Sequence, residues 1–286
     1  MMLYFYVLII SIIGICLKSK YVGQKLKLLD YPAENKIHKK PVALIGGLIL
    51  FFSLGSYFVF NIYTNNDFLI YFYSSLFLFV GIVDDRININ QKLRIFLILV
   101  ISLILIYFDE KFIIEKIYFE NFNKEFYFGI YKIPVTLVCV ILFYIAMNMM
   151  DGINCLVGLF VIFSLVIFKL LIMNFSISYL DIVLIISLSI LCFFNFRNYL
   201  FLGNSGTTFL SGYLIYTLIL NNYDNQVNVW MVISLFLIPG LDMVRLFFTR
   251  ISLSKNPLKR DTLHFHHILL NKFNLQTSLI IYNLLC

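Results

Sequence analysis

Apolar residues run along the chain in long blocks separated by short polar breaks. The blocks lie near residues 2–17, 42–62, 68–83, 93–108, 133–150, 155–173, 180–196, 206–221 and 228–249. A helix that crosses a bilayer needs about 20 mostly apolar residues. The pattern therefore predicts nine membrane helices. A tenth apolar run starts near Thr277 and ends at Cys286, too short to span alone. Residues 109–132, DEKFIIEKIYFENFNKEFYFGIYK, alternate apolar and charged positions. That alternation predicts a short hairpin or interfacial element outside the membrane.

Composition sharpens this. Of 286 residues, 61% are hydrophobic and only 13% charged, against about 25% charged in soluble domains. No soluble domain of useful size fits between the runs. The expectation is an all-α polytopic integral membrane protein, one domain over 1–286, with nine to ten transmembrane helices. The first run lacks a basic leader and a small-residue cleavage site, so it reads as a retained helix. The cysteines (Cys16, Cys139, Cys155, Cys192, Cys286) form no C-x-x-C pair and read as small buried hydrophobes.

Charge then orients the chain. The connections after the first, third, fifth, seventh and ninth runs hold nearly all the basic residues, from Lys18 to Lys40, from Arg86 to Arg94, Arg197, and from Arg250 to Lys272. The other connections hold only Lys111, Lys116, Lys124 and Lys132, outnumbered by acids. By the positive-inside rule the first set faces the cytoplasm and the N-terminus lies outside.

The same connections carry every polar cluster with chemical potential. They are KIHKKPVALIGG (36–47), VDDRININQKLR (83–94), MNMMDGIN (147–154), FRNYLFLGNSG (196–206), and the stretch from LDMVR to LKRDTLHFHH (241–267). A solute transporter would place polar groups near the bilayer midplane on broken helices. A one-sided array instead suits a cytoplasmic-face active site working on a membrane-held substrate.

Each cluster has a bland reading beside the chemical one. Asp84 and Asp85 could meet a divalent cation and phosphate, or form a solvated helix end beside Arg86. Asn148, Asp151 and Asn154 recur at helical spacing on one face; buried asparagines can equally bond helix to helix. Residues 203–206, GNSG, precede a helix whose first N–H groups suit an anion such as diphosphate, or a common N-cap. His264, His266 and His267 sit among Lys255, Lys259 and Arg260 and suit phosphate or nucleotide. Zinc lacks a completing Cys or Glu, and a patch for anionic lipid explains the lysines alone. Asp242 and Arg245, three apart, read as a site pair or a structural ion pair.

Together these motifs resemble the polyprenyl-phosphate N-acetylhexosamine-1-phosphate transferase family. It includes undecaprenyl-phosphate GlcNAc-1-phosphate transferases and, more distantly, phospho-MurNAc-pentapeptide transferases. Five regions match in order across residues 36–267. DDRIN resembles the family's Asp-Asp pair, with Asn88 where a third Asp often stands. NMMDGIN is similar to its Asn-x-x-Asp-Gly-x-Asp/Asn motif, and FLGNSGTTFL to its Phe-x-Gly-Asp-x-Gly-Ser segment. His-x-His-His looks like the GlcNAc-1-phosphate branch.

The resemblance implies that a polyprenyl phosphate attacks the β-phosphorus of a UDP-N-acetylhexosamine, releasing UMP, with Mg2+ (Mn2+ as alternative ion). This is the first membrane step of cell-surface glycan assembly, such as lipopolysaccharide, at the bacterial cytoplasmic membrane. It implies catalytic roles for Asp84, Asp85 and Asp151, and metal ligation by Asp151 and Asn204. Asn148, Asn154, Arg260, His264, His266 and His267 would bind substrate, with Lys36 and His38 at the entrance. Partners would be the lipid phosphate and the nucleotide sugar, with no nucleic acid; a homodimer stays open. The chain departs from the pattern at Asn204, where an Asp is usual, at Thr262, and at Ala43 and Leu44. Its last helix, near 277–286, is incomplete beside the family. The alternatives are a catalytically degenerate member serving a glycan-assembly complex, or a small-solute transporter.

Overall fold

The structure, a computed structural model, describes residues 2–32, 40–167, 177–225, 227–252, 254 and 264–285. Its helices and strands follow in order. First come α1 (Met2–Leu17), α2 (Ser19–Leu26), β1 (Leu29–Asp30) and β2 (Val42–Leu44). Next are α3 (Gly46–Phe60), α4 (Asn65–Ile87), α5 (Gln91–Phe108), β3 (Lys116–Phe119) and β4 (Lys124–Tyr127). Then follow α6 (Lys132–Met150), α7 (Leu156–Val166), α8 (Tyr179–Phe196), β5 (Leu200–Phe201) and α9 (Gly203–Asn225). The last are α10 (Val229–Leu235), α11 (Leu237–Ser252), α12 (Phe265–Lys272) and α13 (Leu275–Leu285).

Every expected apolar run carries helix, and the chain is a helical membrane protein. The helix lengths differ from the expectation of nine to ten spans. Among the described residues four helices are long and apolar enough to cross a bilayer: α4, α5, α6 with its preceding turn, and α8. Counting the bent pairs α1–α2 (70°) and α10–α11 (65°) as single spans gives six. The run at 42–62 starts as strand β2, so α3 is shorter than predicted. The run at 155–173 is helical over Leu156–Val166, and residues 168–176 lie outside the described set.

The fold is not purely α. β2 pairs antiparallel with β1 and parallel with β5, at Ala43↔Leu200 and Leu44↔Phe201. This small sheet ties the connection before α3 to the one before α9. β3 and β4 form the hairpin that alternation at 109–132 predicts, in register Lys116↔Tyr127 to Phe119↔Lys124.

Helix α9 is the centre of the bundle. Nearly every described side chain from Ser205 to Leu220 is buried, on all sides of the helix, as expected of a helix surrounded by others. Small residues let its neighbours approach closely. A Cβ on Gly81 of α4 would overlap Thr208 Oγ1 and sit 2.5 Å from the Asn204 carbonyl. A Cβ on Gly212 would lie 3.1 Å from Ser74 Cα. Thr208 and Ser211 return their hydroxyls to the carbonyls of Asn204 and Thr207, at 2.8 and 2.7 Å. These two hydroxyls are satisfied within the helix, whereas those of Ser205 and Thr217 are buried without a hydrogen-bond partner among the described residues.

Caps fix which end is which. Thr64 with Asp67 and Ser178 with Asp181 form capping boxes that start α4 and α8. At that end Tyr213 donates to Asp181 at 2.7 Å, and Tyr73 and Tyr216 donate to Asp109 at 3.1 and 2.6 Å. The β3–β4 hairpin attaches there too, through Asn222 to the Lys116 carbonyl at 3.0 Å. The helix ends bearing the predicted chemistry gather at the opposite end.

Candidate active site

A cavity of about 990 Å3 opens at that opposite end. Its polar wall draws on the connections around β1–β2, α4–α5, α6–α7, α8–α9 and α11–α12. Residues as far apart in sequence as Asp85, Asn148, Asp151, Asn204 and His266 thus share one space. Its other flank is apolar, with Leu142, Ile145, Val157, Leu188, Val244 and Phe247.

The junction of α4 and α9 is built first. Asn88 takes a left-handed conformation (φ 48°) and ends α4, its N–H donating to the Asp84 carbonyl. Asp84 is buried and forms a 2.6 Å ion pair with the equally buried Arg94. Asp85 turns to α9 and accepts the N–H groups of Asn204 at 2.8 Å and Ser205 at 2.9 Å. Gly203, at φ +74°, makes that turn, and a Cβ there would stand 2.8 Å from Asp85 Oδ2. The sequence offers the GNSG amides to a diphosphate; in the fold two of them hold the chain's own carboxylate.

The α6–α7 turn follows. Helix α6 stops at Met150, so Asp151 lies at its C-cap and not on the helical face expected from its spacing with Asn148. Asp151 is exposed to the cavity. Thr207 of α9 donates to its Oδ2 at 2.7 Å and fixes the carboxylate. Asn148 lines the cavity one turn earlier. Asn154 donates to the Asn195 carbonyl at 3.1 Å and to Asn198 Oδ1 at 2.8 Å. Asn195 also accepts the Cys155 N–H at 2.6 Å, which holds Cys155 left-handed at φ 67°. These amides tie the turn to the end of α8.

The third wall is α11 and α12. Asp242 pairs with Arg245 at 2.7 Å and with His264 Nδ1 at 3.0 Å. The His264 and His266 rings stack 5.3 Å apart at 5°, and His267 lies 4.4 Å beyond His266. His266 packs on Gly152, where any Cβ would overlap its Nε2. Gly152 is thus the gap that lets the histidine segment reach the residue beside Asp151. Burial, reinforced by His267 and then His264, pushes the His266 imidazole down to about 3. All three histidines line the cavity.

Lys36, His38 and Arg260 lie outside the described residues. The structure adds groups the motifs did not single out. Arg94 and the deeply buried Arg250 line the cavity, and Thr207 holds Asp151. Their signal in the sequence was weak: Arg94 and Arg250 read as orienting charges, and Thr207 as part of a helix start. Among the described residues no three His, Cys, Asp or Glu side chains converge as a metal cage. The oxygen donors Asp151 and Asn204 do share the cavity. That set fits Mg2+, which commonly takes one or two protein oxygens and completes its shell with phosphate oxygens and water.

Comparison with known proteins gives the chain's relatives. The profile of the family described as Glycosyl transferase family 4 matches residues 67–222. The undecaprenyl-phosphate alpha-N-acetylglucosaminyl 1-phosphate transferase of Escherichia coli is 25% identical over 268 residues, covering 88% of this chain and 71% of that protein. Its Salmonella typhimurium counterpart is 26% identical over 273 residues, with the same coverage. A probable undecaprenyl-phosphate N-acetylglucosaminyl 1-phosphate transferase of Bacillus subtilis is 26% identical, covering 93% of this chain and 76% of that protein.

Proposed function

The chain belongs to glycosyl transferase family 4, and on that premise we propose that it transfers the sugar 1-phosphate of a UDP-N-acetylhexosamine to a polyprenyl phosphate, releasing UMP. The observation that carries this reading is one cavity with a polar wall drawn from five separate connections and an apolar flank. A water-soluble nucleotide sugar and a lipid phosphate need both surfaces at once. Undecaprenyl phosphate, named for the relatives, is the lipid proposed here. The placement is the bacterial cytoplasmic membrane, with the cavity facing the cytoplasm, as the basic connections support.

Phosphoryl transfer asks a protein for positioning and charge neutralisation more than for covalent help. Asp151, fixed by Thr207, and Asn204, placed by the Asp85 bonds to its helix end, would hold Mg2+. Bound there, the ion would neutralise charge on the diphosphate. Asp84 and Arg94 brace the α4–α5 corner. Asn148 and the His264–His267 segment line the space for the nucleotide sugar. The apolar flank receives the first units of the lipid tail and keeps water from the reacting phosphates.

The test is UMP release by purified protein given polyprenyl phosphate, Mg2+ and a panel of UDP-N-acetylhexosamines. Release with one sugar supports the reading; folded protein that releases none with any sugar removes it. A second reading, a catalytically silent member, rests on the neutral Asn204 at the position where the motif this segment resembles has Asp, and the same assay decides it.

A further inference from the structure

Asp242 stands behind the cavity wall. Its Oδ1 accepts from Arg245 Nη2 at 2.7 Å and Nε at 3.3 Å. Its Oδ2 faces His264 Nδ1 at 3.0 Å, and both oxygens lie 3.2 Å from the Phe265 backbone N. Asp242 and His264 are 9% and 7% exposed, whereas the Arg245 side chain is 45% exposed. An ion pair with an outward guanidinium accounts for half of this arrangement. The other half aims inward, at a histidine that lines the cavity.

A carboxylate is an acceptor only. The Nδ1 of His264 therefore carries a proton and donates it to Asp242, and in the neutral ring Nε2 is the acceptor. The ring cannot turn freely, because His266 stacks on it at 5° and Gly152 backs His266. Among the described residues, the charged and titratable groups that face the pair include Arg245, His266 and, beyond it, His267.

We propose that Asp242 is a positioning residue: it holds His264 in the Nδ1–H tautomer, so that Nε2 meets a hydroxyl of the nucleotide sugar as a hydrogen-bond acceptor. This rests on the transferase reading. An Asn at 242 would still accept the Phe265 N–H. Its amide would instead donate to Nδ1 and move the ring proton to Nε2, so that Nε2 could no longer accept from the substrate hydroxyl, which would have to turn and accept from the ring.

The experiment combines nitrogen-15 spectra of His264, assigned by loss of the signals in His264→Asn, with titration of UDP-N-acetylglucosamine into detergent-solubilised full-length protein. The wild type should show the proton on Nδ1 and Asp242→Asn should show it on Nε2. Asp242→Asn should weaken binding about fivefold or more, because the hydroxyl must reverse the direction of its hydrogen bond and give up the arrangement it has with its other neighbours. In a His264→Asn background the same substitution should change affinity less than about twofold, because the effect acts through the ring. Arg245→Met, which keeps the acid–imidazole contact, should stay within about threefold of wild type. A loss for UDP-N-acetylglucosamine and not for UDP places the hydroxyl on the sugar; an equal loss places it on the ribose.

A wild-type spectrum with the proton on Nε2 overturns the proposal even if Asp242→Asn fails to fold. So does an equal loss of affinity with and without His264, which would make Asp242 a structural ion-pair partner only. Folded wild type that binds no nucleotide sugar removes the transferase reading instead, and the spectrum still decides the tautomer.

Discussion

Asp85 accepts the backbone N–H groups of Asn204 and Ser205, 119 and 120 positions later in the chain, at 2.8 and 2.9 Å. A helix start carries unpaired N–H groups and partial positive charge, so it attracts an anion. Here the anion is a side chain of the packed neighbour α4. The bond fixes Asn204 in the cavity wall and joins the two most closely packed helices.

Asp85→Ala should leave the buried Ser205 amide and the half-buried Asn204 amide without their acceptor, at about 1–3 kcal/mol for the buried one. Asp85→Asn keeps one carbonyl acceptor and should cost less. Thermal unfolding in detergent orders the three proteins; a Tm for the alanine variant equal to wild type would refute the cap.

Arg94 and Asp84 are both buried at 2.6 Å. Removing one partner strands a charge and should cost about 3–5 kcal/mol, whereas removing both should cost less than the sum. Asp84→Asn, Arg94→Gln and the double variant, compared by denaturation, give the coupling. Simple additivity would mean the two groups do not interact.

Gly81→Ala places a methyl group against Ser205 and the Asn204 carbonyl. Overpacking of this kind costs about 1–3 kcal/mol. Shortening the neighbour with Thr208→Ala should not rescue it, because the obstruction includes backbone. Size-exclusion profiles of the single and double variants check this, and full rescue by Thr208→Ala would disprove it.

His266 titrates at about 3 in the folded chain and at about 6.5 when unfolded. Between these values the unfolded state binds a proton that the folded state refuses. The contribution of His266 is therefore fully present above pH 6.5 and falls by about 1.4 kcal/mol per pH unit as pH drops toward 3. His266→Gln should flatten that acid limb. Identical pH–stability curves for the two proteins would show that His266 is not held neutral.

Chelation by EDTA should stop UMP release and Mg2+ should restore it. Asn204→Asp adds a charge to the proposed metal position and should lower the Mg2+ concentration needed for half activity. An unchanged requirement would remove Asn204 from the ligand set.

Much of this was legible in the sequence because lipid imposes a simple rule. Backbone polar groups must be satisfied within a helix, so apolar runs mark helices directly, and all nine predicted runs carry helix. Alternation at 109–132 gave the hairpin for the same local reason. The motifs selected Asp85, Asn148, Asp151, Asn154, Asn204, His264, His266 and His267, which line one cavity, and also Asp84, which lies outside its lining and pairs with Arg94. Local pattern was poorer where distant contacts decide. β2 replaced the first turn of a predicted helix because Val42–Leu44 finds pairing partners in β1 and β5.

By itself the sequence determined the class of molecule, the rough positions of its helices and the types of residue available for chemistry, since these follow from local hydrophobicity and composition. Only the tertiary structure decided how each polar group is used. Asp84 and Asp85 are neighbours in the chain, yet one binds Arg94 and the other caps α9. Asp242 looked like half of an ion pair and also holds His264. Successive side chains on a helix point in different directions, and a buried polar atom takes whatever partner packing brings within about 3 Å.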